Sequence, residues 1–313
     1  MTVRRAVVVA TLFLLVPSAA HAWSPATHIF LGESVLANLA QISSWVADLL
    51  RLYPFDFLYG SIAADTSIAK KYAPVGRHCH SWQVGQEIYD LAESDALRSF
   101  ALGYLAHLAA DTVAHNFFVP RQLVATSSTM GLGHSYWESR FETHLGEQFA
   151  RTAVDILRED HGPADAHLDR ILSPTIFSVR TSRRLFRGMV SITGTQSWQR
   201  AFRTVAANSR WDLTDDHIEQ NMAVSFQLIV EMLGGTEGTA RRLDPAGHAS
   251  LDLARRLRRQ LAGEGQRGGT GRASAVAEQH FALPTYRLEF WETSLAQRPW
   301  RDRPNGSAGR RAG

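Results

Sequence analysis

An all-α fold, a compact multi-helix bundle, is predicted by three observations. Apolar residues recur at three- and four-residue intervals from Ile29 to about Leu52, Gln86 to Phe118, Ser135 to Glu159 and Asp215 to Met232. Alternation of the strand type is hard to find, and the turn-forming clusters "YPFD", "MGLG", "DHGPAD" and "LGGTEG" fall between the helical stretches.

Taken in order, the chain opens with "MTVRR", a positive segment, followed by the apolar run "AVVVATLFLLV" and the small residues "AHA". Together these have the layout of an export signal cleaved after Ala22. The apolar run stops at Pro17, short of the roughly 17–25 residues a membrane span needs. Residues 1–22 are therefore expected to be a cleaved signal peptide, with the product exported to a periplasm or secreted. Residues 23–240 hold all the periodic helical stretches and are expected to form one domain. Residues 241–313 change character: a basic helix around "LDLARRLRRQLA", a Gly-rich linker "GEGQRGGTGRAS", then a segment rich in aromatics and Pro. They are expected to be a basic, partly disordered C-terminal tail.

Cys79 is the only cysteine, so no intramolecular disulfide framework is available to an exported chain of this kind. The formal net charge of +3 conceals an asymmetry, because residues 23–240 carry an acidic excess and residues 241–313 a basic one. A mildly acidic body with a basic tail does not fit stable nucleic-acid binding, where the basic surface sits on the folded module. The tail suits peripheral contact with an anionic membrane, or simply a solvated end. A monomer is expected.

The most informative stretch is "ALGYLAHLAADTVAHNFF". His107, Asp111 and His115 lie four residues apart on an otherwise apolar helix, so each successive side chain turns by about 40° and rises by about 6 Å. They share one stripe. A buried, unpaired Asp there would cost several kcal/mol, so the stripe must meet partners. His107 and His115 are about 12 Å apart along the axis, too far to share one ion, and Asp111 between them points to a cluster of metals. "HSYWESRFETHLG" places His134 and Glu138 at i and i+4, a spacing that chelates one ion from a helix. Glu142 and His144 compete for that role. Upstream, Asp65 in "YGSIAADTS" follows an apolar run, where a turn or cap residue is the plainer interpretation. "GRHCHSW" offers His78 and His80 in a loop, of which at most one or two can bind, with Cys79 between them as a small buried residue.

At this point the residues resemble the zinc-dependent phospholipase C superfamily, which includes the single-strand-specific zinc nucleases. The family pattern is an N-terminal Trp, a His soon after, an Asp, a loop His, a His-x3-Asp pair, another His and a His-x3-Glu/Asp pair. This chain supplies Trp23, His28, Asp65, His78, His107 with Asp111, His115, and His134 with Glu138, in that order. The resemblance covers residues 23 to about 235 and implies an all-helical bundle around three zinc ions. It implies that Asp65, His78, His107 and Asp111 hold one zinc, and that His115, His134 and Glu138 hold a second. A third would sit on the Trp23 α-amino nitrogen and carbonyl oxygen with His28, bridged by Asp111. His78 is preferred to His80 because the first His of "HCHS" aligns with the family's loop.

The implied activity is phosphodiester hydrolysis by attack of a metal-bound hydroxide, with Asp65 as the catalytic group that orients or deprotonates it. Phospholipase C action, releasing a phosphorylated headgroup from a glycerophospholipid, suits the export signal and the aromatics Phe117, Phe118, Tyr136 and Trp137 beside the metal helices. The short Trp23-to-His28 gap is more like the nuclease branch, and the same aromatics would stack bases. A zinc-stabilised binding protein without turnover is a third reading.

Overall fold

The computed structural model describes residues 23–74, 76–126, 130–209, 211–235, 238–263, 269–285 and 298–301. The expected signal peptide and the end of the expected tail lie outside the described residues. Helices account for nearly all the regular structure, and no strand occurs among the described residues. The fold class is therefore all-α, as the periodicity predicts.

The first part of the chain forms α1 (Pro25–Ala37), α2 (Ser44–Leu52), α3 (Pro54–Ala63), α4 (Trp82–Asp90) and α5 (Asp95–Val113). A π-turn at Ala114–Phe118 leads into α6 (Val119–Ala125) and then α7 (Met130–Glu142). There follow α8 (Glu147–Arg158), α9 (Gly162–Ile171), α10 (Val179–Thr193), α11 (Gln196–Ala207) and α12 (Asp215–Leu233). The last two are α13 (His248–Gly263) and α14 (Gly269–Phe281).

The stretch from Asp215 to Met232 is one helix, whereas the other three periodic stretches are interrupted, and local chemistry accounts for two of the breaks. Ser94 interrupts the stretch 86–118, its Oγ accepting from Leu97 N at 3.2 Å and so capping α5. Gly146 interrupts 135–159 at a φ of 94°, a conformation that favours glycine. Conversely, "YPFD" and "DHGPAD" do not remain turns, because Pro54 and Pro163 sit in the first turns of α3 and α9, where a missing N–H costs nothing. "MGLG" falls within α7 from Met130 onward. Only "LGGTEG" stops a helix as expected, at Leu233, with Gly235 at a φ of 74°.

α5 is the centre of the bundle. From Ser99 to Val113 every residue is buried, the mark of a helix enclosed on all sides. Its main neighbours are α3, α12, α4 and α1, and its contact with α3 is the most extensive of these. A Cβ on Gly60 would stand 2.0 Å from the Phe100 carbonyl oxygen, and one on Gly103 would stand 2.1 Å from that of Phe57. Backbone therefore meets backbone, which holds the turn after α3 against the half of α5 that carries His107 and Asp111. Gly103→Ala is expected to destabilise the fold by about 1–3 kcal/mol through overpacking. Gly188→Ala, in α10 with open space around it, should be neutral or slightly stabilising; urea unfolding of the two variants checks both.

Part of the stretch expected to be a tail packs onto this body. α13 and α14 lie against α6, burying Leu251, Ala254, Ala277 and Phe281. The first half of the expected Gly-rich linker, residues 264–268, lies outside the described residues, whereas its second half begins α14. Further on, the buried Trp300 meets Phe30 edge-on, with centroids 5.6 Å apart. No helix among the described residues is long and apolar enough to cross a membrane.

Candidate metal centre

The α5 stripe meets its partners from three directions. His107 and Asp111 are buried on α5, and the His107 Nδ1–H donates to the Ser61 carbonyl of α3 at 2.8 Å. A carbonyl can only accept, so the proton lies on Nδ1 and Nε2 is left facing Asp111 Oδ2 at 3.1 Å. From α1, His28 places Nε2 3.2 Å from Asp111 Oδ1, and its ring stacks on His107 with centroids 3.8 Å apart. Ser24 and Pro25 set the start of that helix, the Ser24 Oγ accepting from Thr27 N.

The third direction is the loop before α4, and here the expected choice between two histidines is reversed. His80, rather than His78, stands with Asp65, His107 and Asp111. Its Nε2 lies 2.9 Å from Asp111 Oδ2, 3.4 Å from Asp65 Oδ1 and 3.1 Å from His107 Nε2. His78 is half-buried and turns away; its Nδ1 accepts the His80 backbone N–H at 3.0 Å, and its ring packs edge-on against His248. The bond from the His80 N–H folds the His78 ring back onto its own loop, so only the His80 ring of the pair enters the cluster. Alignment to a family loop carries no information on which of the two does so. Cys79 is buried as expected, with Sγ 3.2 Å from His80 Nδ1.

Asp65 sits in the single turn of 3₁₀-helix that follows α3. It carries a partner that sequence reasoning missed: Lys70 Nζ donates to Asp65 Oδ1 at 2.8 Å and lies 3.3 Å from His80 Nε2. Lys70 is buried, and it reaches the cluster because Ala69 takes a left-handed φ of 60° just before it. A lysine in a short polar turn has no periodicity to mark it.

The second group forms between the π-turn and α7. The wider turn breaks the strict four-residue register where His115 leaves Asp111 for other partners. His115, His134 and Glu138 each bring a ligand atom within 4.8 Å of the others. His134 Nε2 faces Glu138 Oε1 at 2.6 Å, and the His115 and His134 rings meet edge-on at 5.3 Å. The two competitors are engaged elsewhere, Glu142 with Gln199 and His144 with Asp215.

Trp23 is fully buried. Its indole N–H donates to the Ala110 carbonyl at 3.0 Å, one residue before Asp111, and its ring packs against both Phe118 and Phe141. Residue 23 is thereby tied beside the helix that bears Asp111. Of the aromatics expected to face a substrate, Phe118 and Trp137 belong to the core, while Phe117 and Tyr136 are only partly covered by it.

Electrostatics set these groups up as metal donors. Burial holds the imidazoles of His28 and His115 down at about 4, so both are neutral at neutral pH. Burial also works against ionisation of Asp111, but His107, His28 and His80 outweigh it and hold the carboxyl well below the usual range. Glu138 is pushed well up, first by burial and then by the negative charges of Asp65 and Asp111. His28 Nε2, both Asp111 carboxylate oxygens and Glu138 Oε1 are buried without a hydrogen bond of good geometry. Such donors, desolvated and aimed at one another, are costly alone and satisfied by a divalent cation. A mixture of imidazole nitrogen and carboxylate oxygen is a donor set that suits zinc, so the residues fit the metal that the family resemblance implies.

Residues 27–173 match the family model described as zinc dependent phospholipase C. That match supports placing the chain in the zinc-dependent phospholipase C superfamily, and the matched segment holds every ligand candidate except Trp23. No curated protein matches the chain, and no solved structure does.

Proposed function

We propose, from the zinc-dependent phospholipase C character of residues 27–173, that this chain is an exported phosphodiester hydrolase acting as a phospholipase C on glycerophospholipids. The observation that carries the reading is the convergence of buried, mutually facing donors from α1, the turn after α3, the loop before α4, α5 with its π-turn, and α7 on Asp111 and its neighbours. Asp65, His80, His107 and Asp111 would hold one zinc, and His115, His134 and Glu138 a second. The terminal amine and carbonyl of Trp23, with His28 and Asp111, would hold a third. Zinc so bound supplies Lewis-acid polarisation of a phosphodiester and lowers the pKa of water to about 7.

The chain's own groups supply the rest. Asp65 orients the attacking water and receives its proton, and the Lys70 ammonium, 2.8 Å away, holds that carboxylate in place. The carbonyl of Ser61 holds His107 in the tautomer whose Nε2 faces the cluster. For a lipid substrate the loops around Asp65 matter too. Tyr72, just beyond Lys70, is exposed, as are Ile176 and Phe177. Thr175 Oγ1 ties their loop to the Ile68 carbonyl at 2.6 Å, so these apolar side chains border one side of the Asp65 loop and suit a lipid surface.

The test uses protein beginning at Trp23, with and without chelator, on phosphatidylcholine vesicles, single-stranded DNA and a chromogenic phosphodiester. Release of phosphocholine from vesicles, lost on chelation and restored by zinc, is the expected result. Cleavage of DNA alone would replace the lipid reading with a nuclease. Zinc-loaded protein that cleaves none of the three would be a metal-stabilised binding protein.

A further inference from the structure

Residues 243–250 lie well beyond the segment matched by the family, yet they are fastened around a metal-ligand candidate. The His115 Nδ1–H donates to the Pro245 carbonyl at 2.5 Å. Gly247, at a φ of 60°, packs so closely that a Cβ there would stand 2.4 Å from His115 Cβ and 2.5 Å from the His115 carbonyl oxygen. Three further bonds hold the strap to its surroundings. Trp82 Nε1 donates to the Leu243 carbonyl at 2.9 Å, Asn116 Nδ2 to the Asp244 carbonyl at 2.8 Å, and Ser250 Oγ to Asn116 Oδ1 at 3.0 Å.

The strap is also rigid within itself. The Asp244 carboxylate accepts the backbone N–H groups of Ala246 and His248, each at 2.9 Å, and the His248 ring N at 3.0 Å. The Gly247 N–H donates back to the Asp244 carbonyl, and the Gly247 carbonyl accepts from Leu251 in the first turn of α13. A closed turn anchored at both ends aims the Pro245 carbonyl at one place.

We propose that this turn is a positioning element for His115, with Pro245 and Gly247 as its positioning residues, so that the metal-binding unit extends to at least Ser250. The inference rests on the zinc reading of the site. Because the Pro245 carbonyl can only accept, it places the proton on His115 Nδ1 and leaves Nε2 to face His134 and Glu138. Only glycine at 247 lets the strap approach closely enough to do so.

The test compares Gly247→Ala with Gly235→Ala by zinc stoichiometry and by the absorption spectrum of the cobalt-substituted protein. Gly235 has a φ of 74°, but a Cβ added there would meet no atom within 4 Å, so its substitution reproduces the backbone strain without the collision. Gly247→Ala is expected to weaken metal binding about 10–100-fold and to change the cobalt spectrum, while Gly235→Ala keeps both. A folded Gly247→Ala with wild-type affinity and spectrum would overturn the proposal. In the wild type, nitrogen NMR of labelled histidine should show His115 protonated at Nδ1 and metallated at Nε2. The opposite assignment would overturn it whether or not the variant folds. Wild-type protein that takes up neither zinc nor cobalt would instead remove the zinc reading, and the inference with it.

Discussion

Asp111→Asn is expected to leave the purified protein short of zinc and without measurable phosphodiester hydrolysis. Asp111 is fully buried, and three imidazoles converge on its two oxygens, His28 at 3.2 Å, His80 at 2.9 Å and His107 at 3.1 Å. An asparagine keeps the shape but turns one acceptor into a donor and removes the charge that bridges the group. The metal-free protein should suffer as well, by about 3–5 kcal/mol, the usual cost of removing one partner from a buried charged group. The pH dependence has a definite sign. The Asp111 carboxyl is depressed well below its ordinary value, so its contribution is present in full above an unfolded pKa of about 3.9 and is lost as pH falls through the folded value. The stability gap between wild type and variant should therefore be widest near neutral pH and shrink in acid. Zinc content by mass spectrometry and urea unfolding across pH would check both parts; a variant retaining full zinc would reject the bridging role.

Placing one extra residue ahead of Trp23 is expected to remove about one zinc per chain and most of the activity, with the fold intact. The indole bond to Ala110, the packing against Phe118 and Phe141, and the Ser24 cap of α1 are all unaffected by an extension. What changes is the nitrogen of residue 23. As a terminus it is an amine with a pKa of about 7.7–8.0, which a nearby metal readily deprotonates; behind another residue it is an amide and cannot coordinate in that way. Protein with a verified terminus at Trp23 is compared with a Gly-extended form by circular dichroism, zinc per chain and vesicle hydrolysis. Equal activity in the two forms would show that the terminal amine takes no part.

The difference between these two variants and the Gly247 substitution reflects how far each residue's role could be seen before the fold was known. Asp111, His107 and the His134–Glu138 pair sit on regular helix, where position along the chain determines direction. Four residues nearly complete a turn, so four-residue spacing places side chains on one face whatever surrounds them. The clusters on α5 and α7 were legible for that reason. So was the enclosure of α5, since a helix apolar on every side has to be central. The breaks at Ser94 and Gly146 were less legible, because apolar spacing can run through a short cap or turn without losing its phase.

Loop residues carry no such rule, and there the tertiary structure decided. His78 and His80 differ by two positions and have the same chemistry; only the path of the loop over α5 turns His80 inward and leaves His78 against His248. Lys70 reaches Asp65 through a left-handed residue that no composition signal marks. The Pro245 carbonyl is a backbone atom present at every position, made specific by a turn that returns to His115 from 130 residues away. The helical class, and which of the candidate ligands share a helix face, can be read along the chain because both follow from local geometry. Which loop atoms complete the site was decided only when distant segments were packed together, since their directions are set by contacts between elements and not by spacing along the chain.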